Sequence, residues 1–398
     1  MGPPITDLAG FLDPLNTNSR FLPDRIRLNS GLIVLCFVSV LVLNSQSAAS
    51  YPTYLLALSM LVTVRHWDDV FRIGFVWVVV ALLGLLALSA LWSNPFEARD
   101  LVTAWTRAAL VFLFVVSFAE CQLRGEMERW LSRALAIVGI AAVCAALANF
   151  LTTHPEDGRL NGLGQLDTHV IAALVFGVVG VFALNLLMTE QSAVWKGLGS
   201  IGVILIAPAV ALSDSRNAWV SVLIGASIFL LAQRFVAGIV SVGFVLGVAI
   251  AALAAGDDTR PLLLPRGTSF RPEIWSHTVE RILAGGLWLG LGIGTSDDIE
   301  LGDLVFQHPH NMYLSVAFQG GLAALWLLLL LIVWCLSILI RNFDKPDAKL
   351  ALGILGIALP AYLLDGHELV DKVGSTWFLL WLPVAIALGR EWSRPRKR

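Results

Sequence analysis

The sequence predicts an all-α polytopic membrane protein with about twelve transmembrane helices, and three observations support that reading. The composition is 57% hydrophobic and only 14% charged, whereas a soluble domain is about a quarter charged; the mean hydropathy is +0.78. Apolar runs long enough to cross roughly 30 Å of hydrocarbon recur along the chain. Lys and Arg fall unevenly on the connections between those runs, as they do when one side of a membrane is cytoplasmic.

The first thirty residues lack an apolar h-region and a small-residue cleavage site, so the first run is expected to act as its own signal. Spans are read near 30–49, 51–64, 72–92, 101–119, 131–151, 168–188, 197–213, 216–233, 236–255, 311–340, 348–364 and 374–390. The second is short, and only Ser213–Arg216 separates the seventh from the eighth. An even count puts both termini on one side. Placing that side in the cytoplasm gives it 18 of the 27 Lys and Arg, twice the share of the outer loops. Residues 1–398 then form a single transmembrane domain, and no cysteine is positioned for an outside disulfide.

One outer connection is unlike the rest. The loop 256–309, between spans nine and ten, runs to some fifty residues while the others reach about twenty or fewer, and a loop of that length in a compact protein is usually functional or disordered. Its segment SFRPEIWSHTVERILAGGLWLGLGIGT argues for order. Ile274, Val279, Ile282 and Leu283 recur at near-helical spacing, Thr268 or Ser269 is suited to cap the helix, and Pro272 is tolerated in its first turn. The expectation is a short re-entrant or surface-lying helix, with Trp275 and Trp288 on the membrane surface, followed by a Gly-rich turn. No strand precedes GLGIGT and no βαβ unit surrounds it, which excludes a dinucleotide fingerprint.

Chemistry-bearing residues gather on the outer side, which takes six of the seven histidines and an excess of Arg over Lys. The strongest local signal is Gln307-His308-Pro309-His310-Asn311-Met312-Tyr313-Leu314, at the mouth of the longest apolar run. An imidazole there suits a general base and an adjacent amide can fix its tautomer or orient a hydroxyl; the bland alternative is a polar helix cap. As a metal site the pair is poor, because the histidines straddle a proline and no acidic triplet accompanies them in sequence. No metal or cofactor is expected.

The second signal is Asp214-Ser215-Arg216-Asn217, which interrupts nearly forty apolar residues. Charge at such depth marks a site unless Asp214 and Arg216 simply pair in a tight hairpin. Third comes Arg271, with Arg266 and Arg281 on the same loop, able to converge with Arg216 on a diphosphate; guanidinium forks hold phosphate bidentately, although loop arginines also anchor lipid headgroups. Arg159, His154 and His169 are weaker candidates for lining a sugar site. Asp365, His367 and Glu368 read more readily as solvated loop.

These motifs, Ser215-Arg216-Asn217-Ala218-Trp219, Arg271 to Trp275 and His308 to Leu314, together with the span layout, resemble the bacterial O-antigen ligase and polymerase superfamily. The resemblance implies an inner-membrane enzyme that transfers O-antigen from undecaprenyl diphosphate to a sugar hydroxyl of lipid A–core oligosaccharide at the periplasmic face, inverting and metal-independent. It implies His310 as general base, Arg216 and Arg271 as the clamp on the donor diphosphate, and His308 and Asn311 as orienting groups. Arg266, Arg281, Arg159 and His169 would bind substrate. The implied partners are the lipid-linked glycan, lipid A–core and membrane lipids, with no nucleic acid. Chain length and the single long loop lean toward ligase over polymerase or pilin glycan ligase. A lipid-linked glycan flippase and a non-catalytic lipid-binding scaffold are the readings from other classes; charge confined to one face argues against a transport pathway.

Overall fold

A computed structural model of the protein describes residues 18–63, 67–124, 127–233, 270–302 and 304–394. The ninth expected span, 236–255, lies outside the described residues, as do Arg266 and the first part of the long loop. The other eleven spans are all helical. They are α1 (Asn18–Val42), α2 (Tyr51–Thr63), α3 (Gly74–Leu88), α4 (Ala98–Arg124), α5 (Met127–Thr153), α6 (His169–Thr189), α7 (Ala193–Leu212), α8 (Arg216–Gln233), then α10 (Met312–Arg341), α11 (Pro346–Leu364) and α12 (Leu382–Trp392), with α9 (Arg271–Gly285) in the long loop. Eight of the described helices are long and apolar enough to cross a membrane, so the chain is an all-α polytopic membrane protein. At 13 residues, α2 is only about 20 Å long and falls short of a full crossing.

Helices α6, α8 and α11 form the centre. Phe176 and Phe182 of α6, Phe229 of α8 and Ile354 and Ile357 of α11 are fully buried, and Gly225, Gly353 and Gly356 let α8 and α11 approach closely, since a Cβ on Gly225 would meet the Gly353 carbonyl at 2.5 Å. Trp377 and Trp381, in the π turn that precedes α12, are also buried. Their indoles donate to the Asp371 and Leu369 carbonyls, at 3.3 and 3.1 Å, and so pin the loop between α11 and α12.

The described part of the long loop folds back against the helices. After α9, the Leu291 and Gly292 N–H groups donate to the Phe318 and Gln319 carbonyls at 2.7 and 3.1 Å, and Leu322 N–H donates back to Leu287. These are carbonyls some turns inside α10, where the helix breaks at Gly321 (φ 67°, ψ −167°). Only glycine reaches that conformation without strain, and a Cβ there would stand 2.3 Å from Trp288. Ile293 and Gly294 N–H groups bond Ser89 and Ser93 at the end of α3. The Gly-rich turn therefore fills a gap between α3 and the break in α10.

The structure adds detail to the loop. Helix α9 starts at Arg271 with Phe270 in the cap position, and the expected caps, Thr268 and Ser269, lie outside the described residues. Its inward face is Ile274, Thr278 and Ile282, whereas Val279 and Leu283 are exposed, because an actual turn of 3.6 residues puts 274, 278 and 282 in register. Trp288 is exposed, as a membrane-surface residue would be, but Trp275 turns inward and donates to the Pro309 carbonyl at 3.0 Å. A short antiparallel hairpin, β1 (Ile299–Leu301) with β2 (Leu304–Phe306), completes the loop.

Candidate active site

The functional geometry is organised by the end of α11. The last carbonyls of a helix run short of intrahelical donors; Ala361 keeps the Asp365 N–H at 2.9 Å, and three segments distant in sequence also bond this end. Asn217 Nδ2 donates to Ala361 at 3.3 Å, Asn311 Nδ2 to Leu363 at 3.0 Å, and Arg271 Nε to Leu364 at 3.0 Å. Tyr313 adds its hydroxyl to the Leu359 carbonyl at 3.3 Å. The three motifs singled out in the sequence thus converge on one helical turn.

Local chemistry explains each motif. In Ser215 to Trp219, the Ser215 hydroxyl accepts from Ala218 N–H at the start of α8, Asp214 adopts a left-handed φ of 47°, and the Trp219 indole donates to the Val210 carbonyl at 2.8 Å. This locks the α7–α8 turn and leaves Arg216 exposed at the first position of α8, forming no ion pair among the described residues. In His308 to Leu314, Asn311 caps α10 through Leu314 N–H at 3.1 Å, so its amide is engaged at both ends. Immediately before the cap, His310 is held at φ 51°, an uncommon conformation for a non-glycine residue that collects at functional sites.

His310 faces Asp365, with Nδ1 and Oδ1 3.4 Å apart. Two further imidazoles stack behind it. The His308 ring centroid is 4.0 Å from that of His310 and 4.9 Å from that of His367. The His310 backbone N–H donates to His308 Nδ1 at 3.2 Å, which assigns the neutral His308 proton to Nε2. His367 approaches Asp297 at 3.3 Å and Glu368 at 3.8 Å. Glu368 and Asp371 share Arg107, at 2.8 and 3.2 Å.

Burial, reinforced by the charges His310 and His367 would carry, pushes His308 down to about 4, so it stays neutral across physiological pH. Burial works against the Asp365 carboxylate as well, but hydrogen bonds from His310 and the Gly366 N–H outweigh it and hold Asp365 below the usual carboxylate range. Glu368 is raised, first by burial and then by Asp371, despite its contact with Arg107, because that guanidinium is shared between two carboxylates. His367 is raised in spite of its burial by the Asp297 carboxylate beside it. Ligand atoms of His308, His310 and Asp365 lie within 4.8 Å of one another. One cation would fit between them geometrically, although two of the nitrogens are already engaged in the hydrogen bonds just described.

The remaining candidate residues occupy separate places. Arg159 contacts His169 Nε2 at 2.8 Å, and the neighbouring Leu160 N–H donates to Leu212, which lays this loop against the α7–α8 turn that carries Arg216. Arg281 donates to the Ser296 and Asp298 carbonyls and lies over the Phe318 ring at 4.7 Å, tying the long loop to α10. His154, at the end of α5, is exposed in a left-handed conformation.

No protein-family model matches the chain. A curated protein of Pseudomonas aeruginosa named O-antigen ligase is 27% identical to it over 311 residues, 77% of this chain and 75% of the relative. The chain is similar to that protein over three quarters of both lengths.

The loop between α11 and α12 carries more than its sequence suggested. Asp365, His367 and Glu368 are half-buried around the histidines and are not solvated loop. The available signal was position: Asp365 follows an apolar span directly, and charge at a span mouth is costly unless it faces protein or a ligand. Asp297 and Arg107 had no such signal, since only folding brings them to that loop.

Proposed function

We propose that the chain is an inverting glycosyltransferase that moves O-antigen polysaccharide from undecaprenyl diphosphate to a sugar hydroxyl of lipid A–core at the periplasmic face of the inner membrane, with both termini cytoplasmic. The observation that carries this reading is the convergence of the Arg216, Arg271 and His310 motifs on the end of α11, with a carboxylate set against the imidazole. The relative's name supports the same activity.

His310 takes the proton of the acceptor hydroxyl as its oxygen attacks the anomeric carbon of the donor sugar. Asp365 orients the imidazole and balances the positive charge that forms on it. The new glycosidic C–O bond forms opposite the breaking bond to phosphate, which inverts the anomeric centre. The electron pair departs with undecaprenyl diphosphate, a good leaving group that needs no proton. Arg216 and Arg271 hold its charge as it develops, and the bond from Arg271 Nε to Leu364 fixes the plane of one fork. Neutral His308 presents its Nε2–H as a donor to a substrate oxygen. Arginines thereby supply the positive charge that other phosphoryl-leaving reactions take from a metal.

His310→Ala and Arg216→Ala should each abolish long glycan on lipid A–core in cells while the protein still inserts and accumulates; normal ladders from both would refute the proposal. Deletion discriminates the related reading. Unmodified core with free lipid-linked polymer identifies a ligase, whereas a single repeat on core identifies a polymerase.

A further inference from the structure

A cavity of about 300 Å³ lies beside this cluster, bounded by the end of α1, the segment leading into α6 and the loop between α11 and α12. That volume is at the lower end of small-ligand pockets, which run from roughly 300 to 1,000 Å³. Its polar lining is Asn44, Gln165, Asp167, Asp371, Ser375 and Thr376, joined by Lys372. We propose that it is a subsite for one neutral sugar unit of a glycan substrate, an inference that rests on the glycosyltransferase reading.

Three observations support a sugar. The lining mixes amides, hydroxyls and carboxylates, the donors and acceptors that a polyhydroxylated ring requires on its several faces. Two aspartates against one lysine make it unfavourable for a diphosphate, which separates it from the arginines around α11. Gln165 Nε2 is buried and has no acceptor among the described residues; a buried donor is ordinarily paired, and a sugar oxygen in the cavity would satisfy it. The cavity is also coupled to the histidines. Asp371 in its wall bonds Arg107, Arg107 bonds Glu368, and Glu368 adjoins His367, which stacks on His308. A single loop carries Asp365 to His310 at one end and Thr376 to the cavity at the other.

The sugar can belong to the acceptor or to the donor's repeat. Full-length protein in lipid nanodiscs would be assayed as wild type, Gln165→Leu and Asp167→Asn, with melting curves to verify folding. The probes are lipid-free core oligosaccharide and a free repeat-unit oligosaccharide, followed by saturation-transfer NMR, alongside KM for each full substrate. We expect one oligosaccharide to bind at least tenfold more weakly to either folded variant, with the matching KM rising in proportion and kcat within about twofold. Loss confined to core oligosaccharide assigns the acceptor, and loss confined to the repeat assigns the donor. Unchanged binding of both oligosaccharides by a folded variant overturns the proposal. A wild-type protein that transfers no glycan would refute the enzymatic reading instead, while the binding arm still decides the cavity.

Discussion

Replacing Asp365 by Asn tests whether the carboxylate supports His310 electrostatically. Asn is isosteric and keeps an oxygen for the Gly366 N–H, bonded at 2.9 Å, so the loop should hold. What disappears is the negative charge 3.4 Å from Nδ1, between side chains that are 35% and 20% exposed. At an effective dielectric near 20, an imidazolium and a carboxylate at this separation attract by about 5 kcal/mol before desolvation is counted. Net charge-assisted hydrogen bonds are worth about 1.5–3 kcal/mol. Solvent access argues against the full Coulomb figure, so a loss of about 2–3 kcal/mol of transition-state stabilisation is expected. That corresponds to a decrease in kcat of roughly 30- to 150-fold. The assay is transfer of lipid-linked glycan to lipid A–core by purified protein in nanodiscs, read on gels over a range of both substrates. The loss should appear in kcat, with the donor KM within about twofold, and Asp365→Glu should recover part of it. An unchanged kcat, or a defect confined to donor KM, would refute the assigned role.

Other outcomes are equally specific. Arg216→Lys should restore little of the activity lost in Arg216→Ala, because a point charge does not reproduce a bidentate fork; near-wild-type transfer by the Lys variant would argue against a diphosphate clamp. Excess chelator should leave transfer by purified protein intact, and complete loss restored by a divalent cation would instead assign the His308, His310 and Asp365 cluster to metal. His308 is depressed to about 4 in the folded protein against an ordinary value near 6.5. The unfolded chain therefore binds the extra proton between those values, and the stability due to this group, full above about pH 6.5, is lost as pH falls toward 4. His308→Asn should flatten the pH dependence of the melting temperature across that window, and an unaltered slope would contradict the assignment. Gly321→Ala should lower thermal stability by about 2–4 kcal/mol, since it combines a strained backbone with a Cβ 2.3 Å from Trp288; a wild-type melt would show that the break in α10 can relax.

The helices were legible because lipid imposes a simple rule: a segment that crosses it must be apolar for its whole length and must satisfy its own backbone. Eleven expected spans are helices, and the largest offsets fall on the first, where α1 begins at Asn18, well ahead of the expected residue 30, and ends at Val42, just before Ser45 caps a separate short turn. The Arg216, Arg271 and His308–Asn311 motifs were legible for a related reason, since polar residues that break an apolar pattern need a compensating environment. Their roles as partners were not. Nothing local states that Asn217, Asn311 and Arg271 each bond a carbonyl of the same helical turn. The apolar residues of α9 did not say by themselves which would be covered: Ile274 and Ile282 are buried while Val279 and Leu283 are exposed, because burial depends on neighbours distant in sequence.

By itself the sequence determined the membrane class, the helical spans, the break between α7 and α8, and which residue types stand out against the apolar background. The tertiary structure decided which of them meet. Asp365 lies 55 positions from His310 and Arg107 lies 261 from Glu368, and hydropathy is a property of contiguous residues, whereas a hydrogen bond or ion pair depends on distance in space. Helix ends carry carbonyls without partners, and only packing reveals which distant side chains supply the donors. At the end of α11 those donors come from three otherwise unrelated segments, and their convergence there turns separate motifs into one site.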